Sequence, residues 1–193
     1  NQIVFKDISL SYGSKKILDN VNLKIKRGEK IALVGPSGSG KTTFLDIFMG
    51  LINPDNGDIL VDKNPLNSLT IKSWRSKVGY LPQENYLLNA SVEENILFGR
   101  KKDNSKLENA IKLSFLDKDS FFEVESKNII GDSGNKLSGG QKQRLMIARL
   151  AYGEPDILIL DEPTSALDSE NEEKIMNEVF NSFKNKTILV VSH

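Results

Sequence analysis

Residues 35–42, Gly-Pro-Ser-Gly-Ser-Gly-Lys-Thr, match the pattern G-x-x-x-x-G-K-[ST] without deviation. The chemistry such a segment performs is phosphate binding. Gly35, Gly38 and Gly40 let the backbone aim successive N–H groups inward at an anion, with Pro36, Ser37 and Ser39 completing the loop. A helix starting behind the loop adds its partial positive charge. Lys41 brings a mobile full charge to the β- and γ-phosphates of a nucleotide. The Thr42 hydroxyl can ligate Mg²⁺, and Thr43 can reach the α-phosphate. By itself this segment indicates a nucleoside triphosphatase and does not say which kind.

A second candidate is Ile157-Leu158-Ile159-Leu160-Asp161-Glu162, an aliphatic run ending in two acids. Asp161 suits the shell of Mg²⁺, and Glu162 suits a general base that polarises the attacking water. Alternation along a strand is expected to point the two carboxylates in different directions and so separate their tasks. A third is Leu137-Ser138-Gly139-Gly140-Gln141, at the start of a helical run. It offers one hydroxyl, bare backbone N–H groups and a helix N-terminus, which makes a second anion site. One nucleotide needs only one cradle, so two on a chain point to sharing between chains.

The elements that must hold these groups follow from periodicity. Ile3, Phe5, Ile8 and Leu10 mark a strand, and Val21, Leu23 and Ile25 alternate with polar residues as a half-exposed strand does. Residues 30–34 read as a buried strand running straight into the glycine loop. Thr42 to Met49 reads as a helix stopped by Gly50. Short strands are expected at 59–61 and 78–81, the latter ended by Pro82. From about 84 to 153 the spacing turns helical. Strand 157–160, a charged helix over about 169–183 and strand 187–191 close the chain. Strands alternating with helices imply a mainly parallel sheet.

Taken together and in this order, the segments resemble those of ABC ATPases, and the resemblance covers essentially the whole chain. It implies an α/β fold: a P-loop NTPase core with a mainly parallel sheet, an N-terminal antiparallel β region and an inserted α-helical subdomain. The implied layout is a single ABC ATPase domain over 1–193, with the α/β core at 1–83 and 154–193 and the helical subdomain at about 84–153. The resemblance also implies ATP and Mg²⁺ as cofactors and a head-to-tail dimer. In that dimer Ser138, Gly139, Gly140 and Gln141 of one copy close on ATP held by Lys41 of the other. Tyr12 resembles the aromatic residue that stacks on adenine. Gln83 resembles the loop glutamine that contacts Mg²⁺ and senses the γ-phosphate. Ser165-Ala166-Leu167-Asp168 resembles the loop crossing the dimer interface. His193 resembles the histidine that bonds the γ-phosphate and orients the water. Ser91 to Gly99, and Gly131-Asp132-Ser133-Gly134, are similar to exporter segments. Tyr86-Leu87-Leu88, just before the first of them, offers apolar contacts for a transmembrane domain, which would be fused N-terminally and place this chain at the cytoplasmic face of a membrane. Pro163 departs from the exporter pattern, in which Ala is common, and leaves an importer subunit open as an alternative. A soluble ABC ATPase and an ATP-binding cassette that does not hydrolyse remain as further alternatives.

Composition sets the outer bounds. The 193 residues suffice for one domain with a substantial core. The 26 basic and 26 acidic residues cancel, so no overall field favours nucleic acid or an anionic membrane, and no nucleic-acid partner is expected. The absence of cysteine excludes disulfides and Cys-based metal sites. The single histidine, His193, cannot form a His-rich metal site. No apolar run approaches the roughly 20 residues that span a bilayer. The start at Asn1 and the stop at His193 read as cuts in a longer polypeptide, with the C-terminal end of the domain missing and any membrane part lying outside this stretch.

Overall fold

A computed structural model describes residues 2–66, 71–118, 129–163 and 169–192. The expectations for Ser165 to Asp168 and for His193 fall outside them. The chain divides into two compact units. One comprises residues 1–79, 156–160 and 185–193, and the other 80–155 and 161–184.

In the first unit β1 (Gln2–Tyr12) and β2 (Lys15–Lys26) form an antiparallel hairpin. β1 also pairs antiparallel with β4 (Asn56–Val61), and β4 with β5 (Asn64–Pro65), giving the order β2-β1-β4-β5. The second sheet has the order β3-β8-β7-β6, from β3 (Lys30–Val34), β8 (Thr187–Ser192), β7 (Ile157–Asp161) and β6 (Val78–Leu81). β3 and β8 run parallel, Lys30 facing Ile188 and Val34 facing Ser192. The expectation of a buried β3 is corrected. Its residues alternate between exposed and half-buried, and Val34 is 65% exposed. The run of aliphatics resembles a central strand, but among the described residues β3 stands at the end of the strand order.

Helix α1 (Lys41–Phe48) follows the glycine loop and is held by aromatic packing. Phe44 and Phe48 are buried, with ring centroids 4.9 and 5.5 Å from that of Phe5 on β1. Trp74, on the short α2 (Ile71–Arg75), lies tilted with its ring centroid 5.8 Å from that of Phe48 and donates its indole N–H to the Phe48 carbonyl at 2.8 Å. Each such ring removes enough apolar surface from water to contribute about 1.5–3 kcal/mol. The loop in front of α1 is therefore carried by a helix that cannot slide.

The second unit is built on α5 (Gly139–Tyr152), against which α3 (Val92–Leu97) and α4 (Asn104–Leu113) pack. Leu145, Ile147, Ala148 and Ala151 form its buried side. Arg149, also buried, donates to the carbonyls of Asn95 (2.8 Å) and Tyr86 (2.7 Å) and to the Asn95 side chain (2.9 Å). Its guanidinium lies 4.2 Å from the centre of the Phe98 ring. Burial, and then the nearby Arg100 charge, lower its pKa to about 10, which leaves it cationic at neutral pH. Arg144 pairs with Glu178 on α6 (Ser169–Ser182) at 2.7 Å. Among the described residues no helix is long and apolar enough to cross a membrane.

Candidate functional site

In the first unit the phosphate loop connects β3 to α1. The Ser39 N–H donates to the Pro36 carbonyl at 3.2 Å and closes the turn over residues 36–39. Gly40 is the residue before α1, with φ 94° and no side-chain cap on the helix. A Cβ there would lie 3.1 Å from the Ile17 carbonyl and 3.2 Å from the Leu18 side chain, so only glycine fits between loop and hairpin without a shift. The first turn of α1 contains no acid, and its leading N–H groups have no acceptor within the helix. Lys41 folds over the loop and donates to the carbonyls of Gly35 and, at 3.1 Å, Pro36. Thr42 and Thr43 occupy the first turn. Backbone donors, a positive helix end and a lysine thus lie in one contiguous segment, a combination that suits an anion.

Tyr12 ends β1 and is 55% exposed. It faces Lys15 across the hairpin, two residues before Ile17, the residue against Gly40. The close packing at Gly40 therefore ties the glycine loop to the β2 end of the hairpin whose other strand ends in Tyr12.

The acids belong to the second unit. Asp161 is the last residue of β7, and Glu162 has φ 44°, in the left-handed region. The two side chains diverge because the backbone turns between them, not through strand alternation as expected. For a non-glycine residue this conformation costs on the order of 1–2 kcal/mol, and such strain collects at functional sites. Two donors from the exit of β6 meet the two acids. The Tyr80 hydroxyl donates to Asp161 Oδ2 at 2.9 Å, and Gln83 Nε2 donates to Glu162 Oε2 at 2.6 Å. Gln143 on α5 donates to the Pro163 carbonyl, which secures the chain just beyond Glu162. Sequence reasoning singled out Gln83, Asp161 and Glu162 but passed over Tyr80 and Gln143, whose partners lie 81 and 20 residues away. No local pattern carries such pairings.

Ser138 precedes α5, and two of the N–H groups there, those of Ser138 and Gln141, are engaged within the turn. The Ser138 hydroxyl accepts from the Gln141 N–H at 3.3 Å, and Gln141 Oε1 accepts from the Ser138 N–H at 2.9 Å, a reciprocal capping box. A Cβ on Gly140 would meet nothing within 4 Å, so the fold of this chain does not itself require glycine there.

Of the three apolar residues at 86–88, only Tyr86 is strongly exposed, at 64%; Ile129, which bridges Ser91, is 56% exposed. Leu87 is buried, and a Cβ on Gly134 would come within 2.7 Å of it. Leu87 thus serves the core of its own unit and is withdrawn from the contact surface. Asp132, in the 3-10 turn Asp132–Gly134, accepts from Asn89 at 2.7 Å. Among the described residues no cluster of three or more His, Cys, Asp or Glu could enclose a metal. Mg²⁺ does not need one, because it takes one or two protein oxygens and completes its shell with phosphate and water. A half-buried carboxylate such as Asp161 fits that donor set.

A family model described as ABC transporter matches residues 18–165. The chain is 41% identical over 99% of its length to ATP-binding cassette sub-family B member 5 of Mus musculus, of which it covers 16%. It is 38% identical, over 99% of its length, to the ATP-dependent lipid A-core flippase of Desulfotalea psychrophila, of which it covers 34%. A solved structure of a bacterial Atm1-family ABC exporter with ATP bound superposes with a TM-score of 0.88 at 31% identity, covering 100% of this chain and 34% of that one. The chain thus spans about a third or less of the length of these proteins.

Proposed function

The chain belongs to the ABC transporter family, as an ATPase domain of the exporter type, and from that premise we propose that it is the motor of an export cycle in which each ATP is held between two copies. The observation that carries this reading is the start of α1, uncapped, free of acid and roofed by Lys41. In this account the Lys41 ammonium leaves the loop carbonyls for the β- and γ-phosphates, which replace weak acceptors with a full charge. The backbone of Gly35, Pro36, Ser37, Gly38, Ser39 and Gly40 cradles the same phosphates, Thr43 reaches the α-phosphate, and Tyr12 stacks on adenine. Thr42, Gln83 and Asp161 would hold Mg²⁺, which supplies charge neutralisation at the phosphates. Glu162 accepts the proton of the attacking water and His193 orients that water. Ser138, Gly139, Gly140 and Gln141 of a second copy close on the γ-phosphate, in keeping with the unfilled space at Gly140.

Residues 1–193 then act as one ABC ATPase domain, an α/β core at 1–83 and 154–193 with a helical subdomain at about 84–153 inserted in its sequence. Tyr86 and Ile129 offer the apolar surface on which a transmembrane domain, fused N-terminally, would rest at the cytoplasmic face of a membrane. Removal of the γ-phosphate separates the two copies, since the bond between them is lost with it. The similarity to a flippase and to an Atm1-family exporter supports export over import.

Turnover of Mg²⁺-ATP by the purified protein tests the proposal. Glu162→Gln is expected to lower kcat by roughly 10²–10⁴-fold while leaving ATP affinity nearly unchanged. Equal turnover in the variant would remove Glu162 as the base.

A further inference from the structure

The exit of β6 supplies one donor to each of two successive acids, and the outer pair, Gln83 with Glu162, belongs to the site as already described. The inner pair does not. We propose that Tyr80 is a positioning residue that sets the orientation of the Asp161 carboxylate for Mg²⁺, a role that rests on the nucleotide reading above.

The argument begins with what an aspartate does alone. Rotation about its last torsion is soft, so a carboxylate at a strand end samples a broad range of orientations. Mg²⁺ demands near-ideal octahedral geometry and tolerates little of that spread. The Tyr80 hydroxyl, 2.9 Å from Oδ2, removes it. An ionised carboxylate can only accept, so the hydroxyl is the donor. The bond uses Oδ2, and the second oxygen, Oδ1, takes no part in it. The donor is neutral and does not compete in charge with a cation.

Tyr80 is well placed for the task. It sits within β6, beside the buried Leu81, and β6 is the neighbour of β7, which Asp161 ends. Its ring has only two side-chain torsions to fix, so the hydroxyl is held by the strand and not by a mobile loop. Groups that orient a metal-holding carboxylate in this way commonly govern metal affinity as strongly as they govern rate.

Tyr80→Phe tests the assignment, since it keeps the ring and removes only the hydroxyl. Mn²⁺, which accepts the same oxygen donors as Mg²⁺, can be followed by electron paramagnetic resonance on the purified protein with ADP. The expected result is roughly a 10-fold weaker Mn²⁺ affinity and a matching rise in the Mg²⁺ concentration that half-activates ATP turnover. ATP binding in excess EDTA should stay within about two-fold of the parent, and the melting temperature close to it. Parent-like Mn²⁺ affinity would overturn the proposal. So would an equal loss of nucleotide affinity with and without metal, because the hydroxyl would then be serving the fold. Lys41→Ala separates the two readings. If it held Mn²⁺-ADP as well as the parent does, the nucleotide site itself would be misassigned, and the role of Tyr80 would fall with it.

Discussion

Two helices of this chain begin after a short run of glycine and serine, and they begin in opposite ways. α1 starts at Gly40 with no side-chain cap, in a left-handed backbone conformation and with a lysine folded over the turn. α5 starts at Ser138, whose hydroxyl and backbone N–H are both exchanged with Gln141. The glycines differ as well. Gly40 is demanded by the Ile17 carbonyl at its back, whereas Gly140 has open space where a Cβ would go. α3 supplies the reference, an ordinary start with Ser91 and Glu94 in a capping box and two acids in the first turn. α5 shares its box and lacks its acids.

Magnitudes turn this contrast into a division of labour. An anion at a helix start gains about 0.3–1 kcal/mol, up to about 2 when partly buried. A serine cap contributes about 1 kcal/mol. At α1 no side-chain cap has to be displaced when phosphate arrives, and Lys41 exchanges two carbonyl contacts for a full charge. At α5 the Ser138 hydroxyl accepts from the Gln141 N–H and keeps its own O–H to donate, so a phosphate adds one neutral hydrogen bond there and no lysine folds over the turn. In the proposed cycle the α1 start, with its lysine, would hold the nucleotide, and the α5 start of a second copy would complete the grip.

Three substitutions probe that division, beginning with the largest effect. Lys41→Ala should remove turnover and weaken ATP binding about 100-fold, the scale of a lost charge-assisted pair. Equilibrium binding of a fluorescent ATP analogue measures it, and parent-like affinity would break the comparison at its stronger end. Ser138→Arg should reduce turnover by about 100-fold while the affinity of separate copies stays within about two-fold, as read by the same titration beside an ATPase assay. Gly140→Ala has the smallest effect and the sharpest sign. It should raise the melting temperature slightly, because alanine is the better helix residue, by about 0.4–1 kcal/mol. It should nevertheless lower turnover several-fold. A variant both more stable and equally active would mean that nothing approaches Gly140.

The phosphate loop was legible in the chain because its function resides in contiguous backbone, so that residues 35–43 carry spacing, turn and helix start in one stretch. The same holds for the strands β1 and β2, though not for their pairing, and for β6 and β8, where local alternation and breakers decide the outcome. Legibility ended where a partner is distant. Nothing near Tyr80 marks Asp161, and nothing near Gln143 marks Pro163. The burial of Leu87 depends on Gly134, and the exposure of β3 depends on its rank in the sheet. The capping of Ser138 was readable in principle, since Gln141 stands three residues on, the spacing of a capping box. The glycines between them drew attention to an anion, and the box went unread.

The central claim is that the loop of one copy meets the α5 start of another over a single ATP. The chain has no cysteine, so two single variants in the Glu162→Gln background, Ser39→Cys and Ser138→Cys, can be mixed and mildly oxidised. A covalent heterodimer that forms with ATP and fades with ADP is the predicted result. Mixtures that bind ATP fully yet remain uncrosslinked, or that crosslink equally without nucleotide, would contradict the account.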